Sequence, residues 1–85
     1  MIKISKQEIE NLKDKINKHF EETGLPAKLN YLEFITEEDE ITTNMSLSPT
    51  GIVTAEVWKQ INEYIEREVE KFLKEKLEKG NRLKN

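Results

Sequence analysis

Apolar positions along the chain fall into three stretches with two different periods. In the first, Ile9, Leu12, Ile16 and Phe20 recur at helical spacing among Lys, Glu, Asn and Asp, which predicts an amphipathic helix. Its start is marked by Ser5 and Glu8, the Ser-x-x-Glu of a capping box, with Ile4 and Ile9 placed as a hydrophobic staple. Its end is marked by Gly24, a residue suited to the left-handed conformation, followed by Leu25 and Pro26. The helix is therefore expected from about Ser5 to Thr23.

The second stretch changes period. Leu29 to Ile35 is aromatic and branched, and Ile41 to Leu47 alternates apolar or Thr with polar residues. The acidic segment 36–40 between them reads as a turn, so the pair reads as a β-hairpin. A turn centred on residues 38 and 39 pairs Phe34 with Thr43, Leu32 with Met45 and Asn30 with Leu47. One face then carries Leu32, Phe34, Ile41, Met45 and Leu47. This shared face supports the register, because a one-residue slip would turn every side chain over. The same register leaves Leu29, Tyr31 and Ile35 on the face that should be wet.

The third stretch returns to helical spacing. Ser48-Pro49-Thr50-Gly51 carries a type I turn pattern, and Ile52-Val53 allows a short third strand. Thr54 is a suitable N-cap. Val57, Trp58, Ile61, Tyr64, Ile65, Val69 and Phe72 then form a broad stripe, with Leu73 and Leu77 on its rim. A helix is expected from Ala55 to about Lys79, closed at Gly80, with residues 81–85 as a frayed tail. Its last two turns would project beyond the hairpin. The fold class that follows is α+β, in the order α-β-β-α, with an antiparallel hairpin against two helices in a single domain over residues 1–80.

Composition limits what such a domain can be. The chain has 85 residues, 35 % of them hydrophobic and 36 % charged. At this size a chain buries about 60–65 % of its unfolded surface, enough for one modest core. There is no Cys, which removes disulfides, thiolate metal sites and a Cys nucleophile and fits a reducing compartment. The first residues do not resemble a secretory leader, and no apolar run is long enough to cross a bilayer. The cytoplasm is the expected location.

Charge adds an asymmetry to the net −3. Residues 1–20 hold five Lys against three acids, a net of +2. Residues 21–70 hold three bases against twelve acids, a net of −9, and residues 71–85 hold six bases against two acids, a net of +4. Uneven charge of this kind bears on partners rather than on fold.

Candidate chemistry is sparse. His19, the single His, has no recognisable partner for acid–base or metal work and reads as a half-exposed residue at a helix end. The run Glu37, Glu38, Asp39 and Glu40 lacks the spacing that wraps a hard cation. It reads either as a solvated tip that discourages edge-to-edge aggregation or as a docking point for a basic partner. The hydroxyls of Thr42, Thr43, Ser46, Ser48, Thr50 and Thr54 sit in no nucleophile motif. Lys71, Lys74, Lys76, Lys79, Arg82 and Lys84 could touch phosphate, but a pI near 5.3 is low for a nucleic-acid binder.

The sequence thus points to no catalytic residue, no cofactor and no metal. It points to a non-enzymatic interaction or regulatory module whose partner is another protein or a second copy. The residues expected to make the contact are Leu29, Tyr31, Ile35, Glu37, Glu38, Asp39, Glu40, Leu73 and Leu77. Two other readings stand beside it. One is an acidic inhibitor that mimics nucleic acid on a basic partner; the other is nucleic-acid binding through the Lys-rich C-terminal helix. The apolar wet face has a simpler explanation too, in which the chain covers it with one helix on each side of the hairpin.

Overall fold

In the computed structural model, residues 4–38 and 40–84 are described, with side-chain detail to Leu77. Helix α1 spans Lys6–Thr23, strand β1 Ala27–Glu37, strand β2 Glu40–Pro49 and helix α2 Ala55–Lys84. The protein is an α+β fold of order α-β-β-α.

Both helix starts follow from their caps. The Ser5 hydroxyl accepts from the Glu8 N–H at 3.1 Å, and the Glu8 carboxylate accepts from the Ser5 N–H at 3.1 Å. Together they satisfy donors that a helix start leaves orphaned. At α2 the Thr54 hydroxyl accepts from the Val57 N–H at 3.2 Å. Helix α1 ends at Gly24 with φ +72°. The Gly24 and Leu25 N–H groups both donate to the Phe20 carbonyl, which closes the helix end over a left-handed glycine. Helix α2 does not stop at Gly80 but continues to Lys84. A glycine inside a helix costs only about 1 kcal/mol relative to Ala, and no proline follows to enforce a stop.

The hairpin is antiparallel and two-stranded, with Phe34 opposite Thr43 and Leu32 opposite Met45. Beyond Tyr31 the expected register fails. Asn30 is an extra residue in β1, and Leu29, not Asn30, faces Leu47. This β-bulge turns over the side chains of β1 from Asn30 back to Ala27. Leu29 turns inward and is completely buried. Asn30 turns outward, where its amide donates to the Ser48 hydroxyl at 2.6 Å. Without the bulge an amide would be buried and a leucine exposed. Burying the leucine contributes about 1.5–3 kcal/mol, and the amide escapes desolvation. At the open end the strand persists through Pro49, and the Thr50 N–H donates to the Pro26 carbonyl at 3.0 Å. Pro49 thus lies within β2 rather than in a separate turn. Ile52–Thr54 is irregular, so the optional third strand does not form among the described residues.

One buried core joins α1, β1 and α2, and Leu47 of β2 packs against it part-buried. Leu12, Ile16 and Phe20 of α1, Ala27, Leu29 and Leu32 of β1, and Ile61, Ile65 and Val69 of α2 form a single buried cluster. Both helices therefore lie on the Leu29–Leu32 face of the hairpin, so the alternative in which one helix covers each side does not form. The helices run antiparallel to each other. His19 stacks on Tyr64 with ring centroids 3.8 Å apart, Lys15 pairs with Glu68 at 3.0 Å, and Lys76 pairs with Glu8. Phe72 stacks on Phe34 at 5.5 Å. Contact between α2 and its neighbours thus reaches Lys76, well into the turns expected to project freely.

Candidate interaction surface

The helices cover β1 far better than β2. Along β1, Ala27, Leu29 and Leu32 are buried, whereas no residue of β2 is. On β2 the side chains that point toward the helix layer are Ile41, Thr43, Met45 and Leu47. Three of these are half-buried and Met45 is 37 % exposed. The opposite face of the hairpin has no covering element among the described residues, and there Tyr31 is 48 % and Ile35 38 % exposed.

The residues expected to form one contact surface go to separate places. Leu29 must be withdrawn from it, because the bulge carries it into the core with no exposed area. Leu73 is half-buried and packs against the core cluster, so it too is largely structural. Leu77 is exposed, near the far end of α2. Tyr31 and Ile35 share the uncovered face of the hairpin. Glu37, Glu38 and Glu40 are exposed at the tip, and Asp39 lies outside the described residues. Glu38 has φ +45°, a left-handed conformation uncommon for a residue with a side chain.

Three exposed apolar residues were not singled out by spacing. Ile52 is 95 % exposed in the connection before α2, and Trp58 and Met45 are each just over one-third exposed. Trp58 sits on the helical stripe and so reads as core. It lines an open cleft with Leu47, Pro49 and Val53 instead, because the first turn of α2 lies at the poorly covered margin of β2.

Electrostatics ties the helices to each other more than it builds a site. The Lys76 ammonium beside Glu8, with the Ser5 N–H, holds the Glu8 carboxyl below its ordinary value. The Glu68 carboxylate raises the Lys15 ammonium. Burial, then the charge of Glu68, pushes the Tyr64 phenol up. Part of the opposed charge along the chain is therefore used in pairing α1 with α2. Lys76, expected in a basic C-terminal patch, is engaged by Glu8. A cleft of about 300 Å³ between the helices is lined by Glu8, Lys15, Glu68, Lys71, Phe72 and Glu75, but Lys15 and Glu68 already satisfy each other. Among the described residues, no three His, Asp or Glu side chains converge to hold a metal ion. No described helix is long and apolar enough to cross a membrane.

Comparison with known proteins finds no family model, no curated protein and no solved structure that matches this chain. The functional reading rests on the surface alone.

Proposed function

We propose that this chain is a non-enzymatic protein-interaction module of the cytoplasm that docks through the uncovered face of its hairpin. The observation that carries the reading is the exposure of Tyr31 and Ile35 on one side of a sheet whose other side takes both helices. A Tyr and an Ile on an open strand surface supply apolar area with one polar handle, and Tyr is enriched at protein interfaces. The acidic tip lies at the end of the same face and would steer a partner with a basic rim. The second reading, an acidic inhibitor that competes with nucleic acid, draws on the exposed Glu37, Glu38 and Glu40. Nucleic-acid binding by the C-terminal helix has less support, since Lys76 is already paired.

Site-specific photo-crosslinking in the source cell tests the docking face. A crosslinking residue at position 31 or 35 is expected to trap one discrete protein, while the same residue at Glu21 or Lys59 traps none. Equal trapping from all four positions, or none from 31 and 35, overturns the reading. Neutralising Glu37, Glu38 and Glu40 together is expected to slow capture and leave its identity unchanged. Complete loss of capture would favour the acidic-inhibitor reading.

A further inference from the structure

The two edges of the hairpin are finished differently where Leu29 faces Leu47. On the β1 edge, the Asn17 side-chain amide donates to the Leu29 carbonyl at 3.0 Å and accepts from the Leu29 N–H at 2.7 Å. These two Leu29 groups therefore point away from β2, so Leu29 and Leu47 form a non-hydrogen-bonded pair of the antiparallel ladder. The main chain of Leu47 must then also point away from β1. The bulge lies in β1, so alternation along β2 is unbroken, and Ile41, Thr43 and Met45 present their N–H and C=O groups to the same free edge. No side chain or backbone segment outside the hairpin bonds to these groups among the described residues.

Between its ends, where Glu40 and Pro49 stand, the β2 edge also lacks the usual defences. From Ile41 to Ser48 there is no charged residue and no proline, whereas exposed edges are normally blunted by Lys, Pro or bulges. We propose that the free edge of β2 pairs antiparallel with β2 of a second copy, joining two hairpins into one four-stranded sheet. This rests on the reading of the chain as an interaction module, with the dimer as the form that presents a doubled docking face.

Charge selects a second copy in antiparallel orientation. Lys28 is the only base on the hairpin and sits at its open end, while Glu37, Glu38 and Glu40 cluster at its tip. Antiparallel pairing brings each acidic tip toward the other copy's Lys28, whereas parallel pairing would set the two tips side by side. Packing agrees. The edge-facing backbone groups belong to the residues whose side chains point toward the helices, so pairing places the helix layers of both copies on the same side. Met45, exposed in the single chain, is then covered near the two-fold axis. Ile41 of the second copy arrives beside Leu47, at the mouth of the cleft that Leu47, Pro49, Val53 and Trp58 line.

Sedimentation equilibrium of the full chain tests the pairing. The wild type is expected at about twice the 10.0 kDa chain mass over the micromolar to sub-millimolar range. Thr43→Pro removes an edge N–H that the single chain does not use, and edge strands tolerate proline where the N–H faces solvent. It is expected to yield a folded monomer, with circular dichroism as the check on folding. Met45→Lys places a charge on the paired margin, is expected to give the same result, and decides the matter if the proline variant does not fold. Tyr31→Glu, on the other face, is expected to remain dimeric. A wild-type monomer throughout, or a dimer that survives Met45→Lys but dissociates with Tyr31→Glu, overturns edge pairing. Failure here leaves crosslinking from position 31 intact, whereas failure of the docking reading abolishes that crosslinking and leaves the dimer.

Discussion

The side-chain amide of Asn17 takes the place of a neighbouring strand for Leu29, closing both its outward N–H and its C=O in bonds of 2.7 and 3.0 Å. The contact fastens the middle of α1 to β1 one residue before the bulge. It satisfies two backbone groups beside the core that would otherwise lose water without a partner.

Asn17→Leu should therefore destabilise the fold although it makes the helix more apolar. Leaving the Leu29 groups unsatisfied costs about 1–3 kcal/mol, read as a lower urea midpoint. Asn17→Asp keeps an acceptor but removes the donor and should fall between the two. Native-state hydrogen exchange should show the Leu29 amide protected in the wild type and fast in Asn17→Leu. A slow Leu29 amide in the variant would show that another group satisfies it.

The bulge predicts a sharp contrast between near neighbours in β1. Leu29→Ala should cost about 2–5 kcal/mol, as for a fully buried leucine. Tyr31→Ser, on the open face, should change stability by about 0.5 kcal/mol or less. A continuous alternation without the bulge would make Leu29→Ala the mild variant, so denaturation of the two decides which register holds in solution.

The Glu8–Lys76 pair sets a pH window. The folded Glu8 carboxyl titrates below its unfolded value because of the Lys76 ammonium and the Ser5 N–H. Its contribution is fully present above the unfolded carboxylate range and is lost as pH falls through the lowered folded value. Glu8→Gln should therefore be destabilising at neutral pH, and its difference from wild type should shrink on acidification. Salt should also reduce it, since the pair lies at the surface and is partly exposed. Urea melts at neutral pH and near pH 3, with and without salt, check the sign.

Two left-handed positions should respond in opposite directions. A Cβ at Gly24 would meet nothing within 4 Å, so Gly24→Ala bears only the cost of φ +72°, about 1–2 kcal/mol. Glu38 already bears a similar cost at φ +45°, and Glu38→Gly should recover up to about 1 kcal/mol. Thermal unfolding of both variants, singly and together, should show the two changes adding, since the residues lie at opposite ends of β1.

Local chemistry made much of this architecture legible. Ser5 and Glu8 fixed the start of α1, Gly24 and Leu25 its end, and Thr54 the start of α2. Each signal acts within a few residues of chain, so it survives without tertiary context. The pairing of Phe34 with Thr43 and of Leu32 with Met45 follows from the period of two and the position of the turn. What failed were features that only a third element decides. Leu29 looked like an exposed contact residue because strand alternation has no way to show that α1 and α2 both bury the same face. The bulge at Asn30 exists because Leu29 is worth burying there and Asn30 is not. Gly80 resembled a stop, yet one glycine does not break a helix without a competing bond.

The candidate surface divides in the same way. The order of elements, the caps, the acidic tip and the outward Tyr31 and Ile35 are determined by the sequence alone, because short-range hydrogen bonding and periodicity dictate them. The burial of Leu29, its capping by Asn17, the engagement of Lys76 by Glu8 and the bare edge of β2 are decided only by tertiary structure. They depend on where two long helices come to rest across a two-stranded sheet too narrow to be covered evenly.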